Sequence, residues 1–131
     1  MPVIKSGVIH DFDVKNVEVS DNKDGTGQNL VITLATTSPV AGLNGQQIEA
    51  GFPVYHYIGL TPITGRSDKR DYTEDAIRRS LAQFTLAVHG QKVPVRPLIQ
   101  HIGKRVRCKV AVTKPTAEYP NPGNKITFVL P

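Results

Sequence analysis

Between residues 7 and 60 apolar side chains recur at every second position, and this period of two most constrains what the chain can fold into. Side chains of a β-strand point alternately to the two faces of a sheet, so the pattern predicts strands with one buried face. The parity changes between Val14 and Val17, which predicts a β-bulge near Lys15 and Asn16 in a long first strand. The first half of the chain is therefore predicted to be a β-sheet.

One helix interrupts the strands in the second half. Asp71 and Thr73 are competing N-caps, and Gly90 stands where a C-terminal cap is expected. The stripe between them consists of Ile77, Leu81, Phe84 and Val88, at helical intervals. The predicted strands cover residues 8–19, 30–35, 48–60, 105–112 and 126–130, and residues 61–70 form a predicted loop. Pro53 lacks an N–H group, so the third strand is predicted to be an edge strand or to contain a bulge there.

Three strands, one helix and two strands is the element order of the OB-fold, a five-stranded barrel. We therefore predict one all-β domain over residues 1–131 with one main helix, a five-stranded OB-fold barrel of order β-β-β-α-β-β. The second half carries a further likeness, made of a helix that ends in glycine, a "GK-V" strand and a final hairpin containing asparagine. The matching residues are Gly90, Gly103, Lys104, Val106 and Asn124.

In these features the chain resembles small bacteriophage OB-fold proteins that bind single-stranded DNA. The resemblance implies a non-catalytic single-stranded-DNA-binding protein that acts in phage DNA replication, recombination or repair. Single-stranded DNA is the implied partner, with RNA, a second copy of the chain, and replication or recombination proteins as further candidates. The alternative is a structural, virion or protein-interaction β-barrel without nucleic-acid binding.

The charge of the chain is unevenly distributed along its length. The net charge is +5, yet residues 1–75 hold ten acidic residues against six Lys and Arg. Residues 91–131 hold eight Lys and Arg against Glu118 alone. Such asymmetry indicates a basic surface that faces a polyanion, with a solvated charged face as the alternative.

Single strands are bound without regard to sequence by cations along the phosphates and by flat rings on which bases stack. The candidate cations are Lys104, Arg105, Arg107, Lys109 and Lys125, with Arg66, Lys69 and Arg70 in the loop at 61–70, and the candidate rings are Tyr55, Tyr57 and Tyr119. A two-residue repeat places Tyr55 and Tyr57 about 7 Å apart on one face of a strand. Packing of these two rings under the helix or a loop is the alternative, and Tyr119 could equally anchor its loop.

Catalytic and metal-binding patterns are weak. The single cysteine, Cys108, excludes an internal disulfide and a multi-cysteine zinc site, and its parity predicts a core position. Asp11 and Asp13 share a parity and could hold Mg²⁺ in a small nuclease, but no further carboxylate joins them at regular spacing. We therefore expect no enzymatic activity, no cofactor and no metal.

The sequence also bears on location. No apolar run approaches the roughly 20 residues that cross a bilayer. The first eleven residues lack the apolar stretch of a signal peptide. We expect a cytoplasmic protein without a membrane partner, in the host cell if a phage encodes it.

Overall fold

The chain folds into a mostly β structure with one α-helix, and the computed structural model describes residues 2–131. In chain order the elements are β1 (Ile9–Asp21), β2 (Gln28–Thr36), β3 (Val40–Ala41), β4 (Gln47–Ile48), β5 (Pro53–Gly59), α1 (Glu74–His89), a 3-10 helix (Leu98–His101), β6 (Arg105–Val112) and β7 (Asn124–Phe128). Neither helical segment in this part of the chain is long and apolar enough to cross a membrane.

Five of the strands form one antiparallel sheet in the order β5-β2-β1-β6-β7. The mostly β class and the single α-helix are thus confirmed. Within residues 2–131, β5 and β7 are edge strands that are not hydrogen-bonded to each other, so the sheet is not closed into a barrel. We call the gap between these two strands the seam. It is narrow, because the rings of His56 on β5 and Phe128 on β7 meet edge to face with centroids 5.0 Å apart.

The predicted bulge in the first strand is confirmed, because the register of β1 against β2 shifts between Val14 and Asn16. At the bulge the backbone of Val14 forms hydrogen bonds to the segment before β6. Its N–H donates to the carbonyl of Lys104 and its carbonyl accepts from Gly103, both at 2.8 Å. The extra residue keeps Val14 and Val17 on the same buried face of a bent strand.

The predicted third strand was wrong at its start. Ile48 belongs to β4, which pairs with β3 as a separate two-stranded sheet, and β5 begins at Pro53. Gly51 breaks the strand because its φ of 89° is a left-handed conformation that favours glycine. The prediction of an edge position for Pro53 is confirmed, since β5 is the outermost strand of the sheet.

Helix α1 begins after Thr73, which is the N-cap, and its hydroxyl accepts a hydrogen bond from the N–H of Ala76 at 3.2 Å. Asp71, the competing cap, instead accepts from the N–H of Gly65 at 3.1 Å and stabilises the preceding loop. Gly90 ends the helix in the left-handed conformation, as predicted. The cap residue is thus fixed by which side chain faces the free N–H groups of the first turn.

The core lies between the inner face of the sheet and α1. Phe12 and Phe84 are completely buried, whereas Phe52, Phe128 and Leu81 pack against the core and stay partly exposed. The buried position predicted for Cys108 is confirmed, and burial raises the pKa of its thiol to about 12.

A pair of histidines joins the end of α1 to the 3-10 helix. Nε2 of His101 lies 2.7 Å from the carbonyl oxygen of Val95, and Nδ1 of His101 lies 2.7 Å from Nε2 of His89. A carbonyl oxygen can only accept, so Nε2 of His101 carries a proton. In the neutral ring Nδ1 then accepts from His89. His101 is completely buried.

Phe84→Ala is expected to lower the free energy of unfolding by about 3–5 kcal/mol, because it leaves a cavity between the helix and the sheet. Gln83→Ala, on the exposed side of the same helix, is the control and should change stability by less than about 0.5 kcal/mol. Urea unfolding followed by circular dichroism measures both. Equal effects of the two substitutions would contradict the assigned inner face of α1.

Acid is expected to destabilise the fold. Burial lowers the pKa of His56, and burial together with the charges of His101 and Lys104 lowers the pKa of His89. Below the ordinary histidine pKa of about 6.5 the unfolded chain therefore binds more protons than the folded chain. The free energy of unfolding should keep its full value above that pH and should fall as the pH decreases below it. Urea unfolding from pH 8 to pH 5 measures this, and His89→Gln, which cannot titrate, should weaken the dependence.

Candidate nucleic-acid interface

The basic residues of β6 lie on the outer face of the sheet, but two of them are paired with acids. The β1–β6 register places Asp13 opposite Arg105 and Asp11 opposite Arg107. The Nε-to-Oδ1 distances are 3.4 Å for Arg105–Asp13 and 3.9 Å for Arg107–Asp11. Such exposed pairs add little stability, yet they neutralise positive charge where the sequence predicted a basic strand.

The remaining predicted cations of the sheet are free of such pairing. Lys104, Lys109 and Lys125 are exposed and belong to none of the ion pairs formed within residues 2–131. Lys125 of β7 lies opposite Ala111 of β6. Because β7 borders the seam, Lys125 is on the strand that faces β5. The ionic part of the candidate site is thus carried by lysines more than by the arginines of β6.

Tyr55 and Tyr57 lie on the outer face of β5, opposite Thr33 and Val31 of β2. Their side chains are 51% and 60% exposed, so they pack neither under the helix nor under a loop. Strands β2 and β1 separate them from β6. The tyrosines of β5 and the arginines of β6 therefore do not lie on neighbouring strands.

Tyr119 approaches the tyrosines of β5 through the loop between β6 and β7. Its ring is 58% exposed and meets Lys23, in the loop between β1 and β2, whose Nζ donates to the phenolic oxygen at 3.4 Å and lies 5.5 Å from the ring centroid. Sequence reasoning missed Lys23, because 96 positions separate it from Tyr119 and its own segment carries only a turn signal. Together the two hairpin loops add Lys23 as a cation and Tyr119 as a third ring to the candidate site.

Within residues 2–131, Tyr57 borders at least three cavities. The first, of about 670 Å³, lies between β5, residues 121–124 and the N-terminal segment at Pro2 and Val3. The second, of about 750 Å³, lies between the β1–β2 loop and Tyr119. The third, of about 370 Å³, opens at the seam between β5, β7 and α1. We call the first two the tyrosine surface, because Tyr55, Tyr57 and Tyr119 line them.

The two halves of the tyrosine surface differ in charge. Among the described residues, no charged side chain lines the half beside Tyr55, whereas the half beside Tyr119 contains Asp21, Lys23 and Asp24. The pKa of Asp24 is lowered by hydrogen bonds from the hydroxyl and the N–H of Thr26, so its carboxylate is engaged in its own turn. A ligand crossing Tyr57 therefore passes from an apolar to a polar surface.

Asn124, one of the residues that carries the family resemblance, holds the N-terminal segment against the site. Its Oδ1 accepts from the N–H of Ile4 at 2.8 Å, and its Nδ2 donates to the carbonyl of Ile4 at 2.9 Å. These bonds position Pro2 and Val3 as one wall of the tyrosine surface. The contribution of this segment was missed, because it is too short to show a periodic pattern.

The loop at 61–70 follows β5 and is held in a defined shape. Ile63 and Tyr72 exchange backbone hydrogen bonds of 2.9 and 2.8 Å across its base. The guanidinium of Arg66 donates to the carbonyl of Arg70 and so helps to close the loop. Lys69 and the side chain of Arg70 are exposed. Two of the three predicted loop cations are therefore available to a ligand.

Asp11 and Asp13, the acidic pair on β1, do not lie in a cluster of possible metal ligands among the described residues. Within residues 2–131, no three His, Cys, Asp or Glu side chains come together as metal ligands would. Asp11 and Asp13 each face an arginine instead.

No protein-family model matches the chain, and no curated protein matches its sequence. The function is therefore inferred from the chemistry and geometry of the surfaces described above.

Proposed function

We propose that the chain is a non-catalytic OB-fold protein that binds single-stranded DNA, with its barrel open at the seam. Omitting the short β3–β4 hairpin, the chain order is three strands, the helix and two strands, which is the order of that fold. The central position of a bent, bulged first strand supports the same assignment, because a small barrel requires one strand to serve both of its halves.

The observation that carries the proposal is the group of three exposed tyrosines on one continuous surface. OB-folds bind oligonucleotides on the face of their second and third strands and with the loops of their first and last hairpins. In this chain those elements are β2, β5, the loop with Lys23 and the loop with Tyr119. Exposed aromatic rings are costly to leave in water, and stacking on bases uses them without regard to sequence.

Cations next to these rings supply the ionic part of binding. Lys23 touches Tyr119, Lys125 lies on the strand across the seam, and Lys69 and Arg70 lie in the loop that follows β5. Such side chains displace counterions from the phosphates and make the affinity depend on salt. The biological role we propose is coating of single strands in phage DNA replication, recombination or repair, in the cytoplasm of the host.

A protein-interaction module is the second candidate, and one observation favours it. The pairs Arg105–Asp13 and Arg107–Asp11 make part of the basic face self-neutralising, as in a solvated surface. Retention on a single-stranded oligonucleotide that decreases with salt separates the two functions. An interaction module would elute from such a column at low salt.

Tyr55→Ala and Tyr57→Ala are each expected to weaken single-strand binding by about 1–3 kcal/mol, because each removes a stacking platform. Tyr55→Phe and Tyr57→Phe keep the ring and should bind almost as the unmodified chain does. Fluorescence titration with oligothymidine measures the affinities.

Thermal unfolding of the same four variants is the control, since both side chains are exposed and their removal should leave the fold intact. Normal affinity in the double alanine variant would refute stacking on β5. A loss of affinity that follows a loss of folded protein would instead assign the tyrosines a packing role.

The two classes of cation are expected to differ in their effect on salt dependence. Lys109→Gln with Lys125→Gln should flatten the log–log salt slope by about 1.4, since each phosphate contact contributes roughly 0.7. Arg105→Gln with Arg107→Gln should flatten it less. An arginine that moves from a carboxylate to a phosphate releases a counterion from DNA, but the carboxylate left behind attracts another.

Asp11→Asn with Asp13→Asn provides the converse test and should steepen the slope, because it frees both arginines. Glu49→Gln with Glu74→Gln removes the same amount of charge away from the sheet and serves as the control. Equal flattening by the lysine and arginine pairs would show that the carboxylates do not compete for the arginines.

A further inference from the structure

The third cavity at Tyr57 has a chemistry that the tyrosine surface lacks. It opens at the seam, where β5 and β7 each leave one edge without a strand partner in the described part of the chain. Its aromatic walls are Tyr57, Phe128 and Tyr72, and the hydroxyl of Tyr72 donates to the carbonyl of Gly59. Gly59 lies at one end, where a Cβ atom would come within 3.0 Å of the ring of Tyr72. The cavity therefore depends on a close approach of backbone and ring.

Side chains that can donate and accept hydrogen bonds line this cavity. They are the imidazole of His56, the amide of Gln83, and the hydroxyls of Ser80 and Thr127. The imidazole of His56 forms no hydrogen bond to a described residue, and it is half-buried against Phe128. A neutral imidazole offers one donor and one acceptor, and a primary amide offers both. The ring nitrogens of His56 are not sealed from solvent, so water or a ligand can complete their hydrogen bonds.

The charge of the lining restricts the class of ligand. No Lys, Arg, Asp or Glu side chain among residues 2–131 lines the cavity. A phosphate or carboxylate group would therefore lose its hydration there without gaining a counter-charge. Flat aromatic walls, mixed donors and acceptors, and a neutral lining instead suit a neutral heterocycle with hydrogen-bonding edges.

We propose that the third cavity, at the seam, binds one nucleobase, which leaves the stack on the tyrosine surface at Tyr57 and enters the cavity beside the ring contact of His56 and Phe128. This inference rests on the proposed binding of single strands, since Tyr57 borders both the outer surface and the cavity. His56 and Gln83 are the residues that read the edge of the inserted base. The stacking surface then supplies affinity without regard to sequence, and the cavity adds a preference for one base.

Free nucleosides test the cavity apart from the phosphate backbone. We expect the imidazole signals of His56 and the side-chain amide signals of Gln83 to shift saturably in NMR titrations with adenosine, guanosine, cytidine or thymidine, to different extents. Because the cavity lining is neutral, a nucleoside should bind with the same affinity at low and at high salt.

His56→Phe keeps a ring against Phe128 but removes its hydrogen bonds, and Gln83→Leu removes the amide from the exposed side of the helix. Each should weaken binding of the preferred nucleoside about tenfold, which corresponds to one good hydrogen-bonded contact. Gln91→Leu makes the same change beyond the helix end and should leave binding unchanged.

Two results would overturn the inference. Shifts confined to Tyr55, Tyr57 and Tyr119, with His56 unmoved, would mean that bases stack only on the outer surface. Binding of oligonucleotides with no nucleoside effect on His56 or Gln83 would refute the base cavity and leave the proposed function intact. The nucleoside titration does not test the proposed function. Failure of oligothymidine to bind would refute that function.

Discussion

Antiparallel pairing of β1 with two strands at once is the interaction on which the rest of the structure depends. Residues Ile9–Asp13 pair with β6, residues Phe12–Asp21 pair with β2, and the bulge after Val14 lies just beyond the short overlap. The strand therefore has both neighbours as partners only at Phe12 and Asp13. The bulge bends the strand and changes its parity, so apolar side chains on either side of it reach the same core.

The register that builds the core also determines the charge of the outer face. Phe12 lies opposite Val106 inside, so the neighbouring positions Asp13 and Arg105 must meet outside. Once this pairing is set, the basic side of β6 is partly neutralised by β1. The positive character of the C-terminal part of the chain is then left to lysines such as Lys109 on β6 and Lys125 on β7, the strand that borders the seam.

The open seam separates two kinds of surface around one residue. Tyr57 stands at the edge of the sheet, where an outer aromatic surface and an inner neutral cavity meet. Free strand edges invite pairing with other chains unless they are blunted. Pro53 removes a donor at the start of β5, and β7 is only five residues long, so the edges beside the cavity are short. Such a seam offers backbone groups to a ligand without a long template for strand addition.

Local patterns in the sequence were sufficient to predict the helix cap at Gly90, the bulge near Asn16 and the shared strand face of Tyr55 and Tyr57. Each depends on side-chain periodicity or on backbone freedom within a few residues. Whether the two rings are exposed or covered was left open by the sequence. Local patterns were insufficient at Ile48, where a left-handed glycine interrupts an alternation that otherwise continues unbroken. The partners of the site were decided by tertiary structure. Lys23 meets Tyr119, Asp13 meets Arg105 and the N-terminal segment meets Asn124 across about 90 to 120 positions. Periodicity fixes which face of a strand a side chain occupies, whereas the order and register of strands, set by packing of the whole core, fix which distant side chain lies beside it.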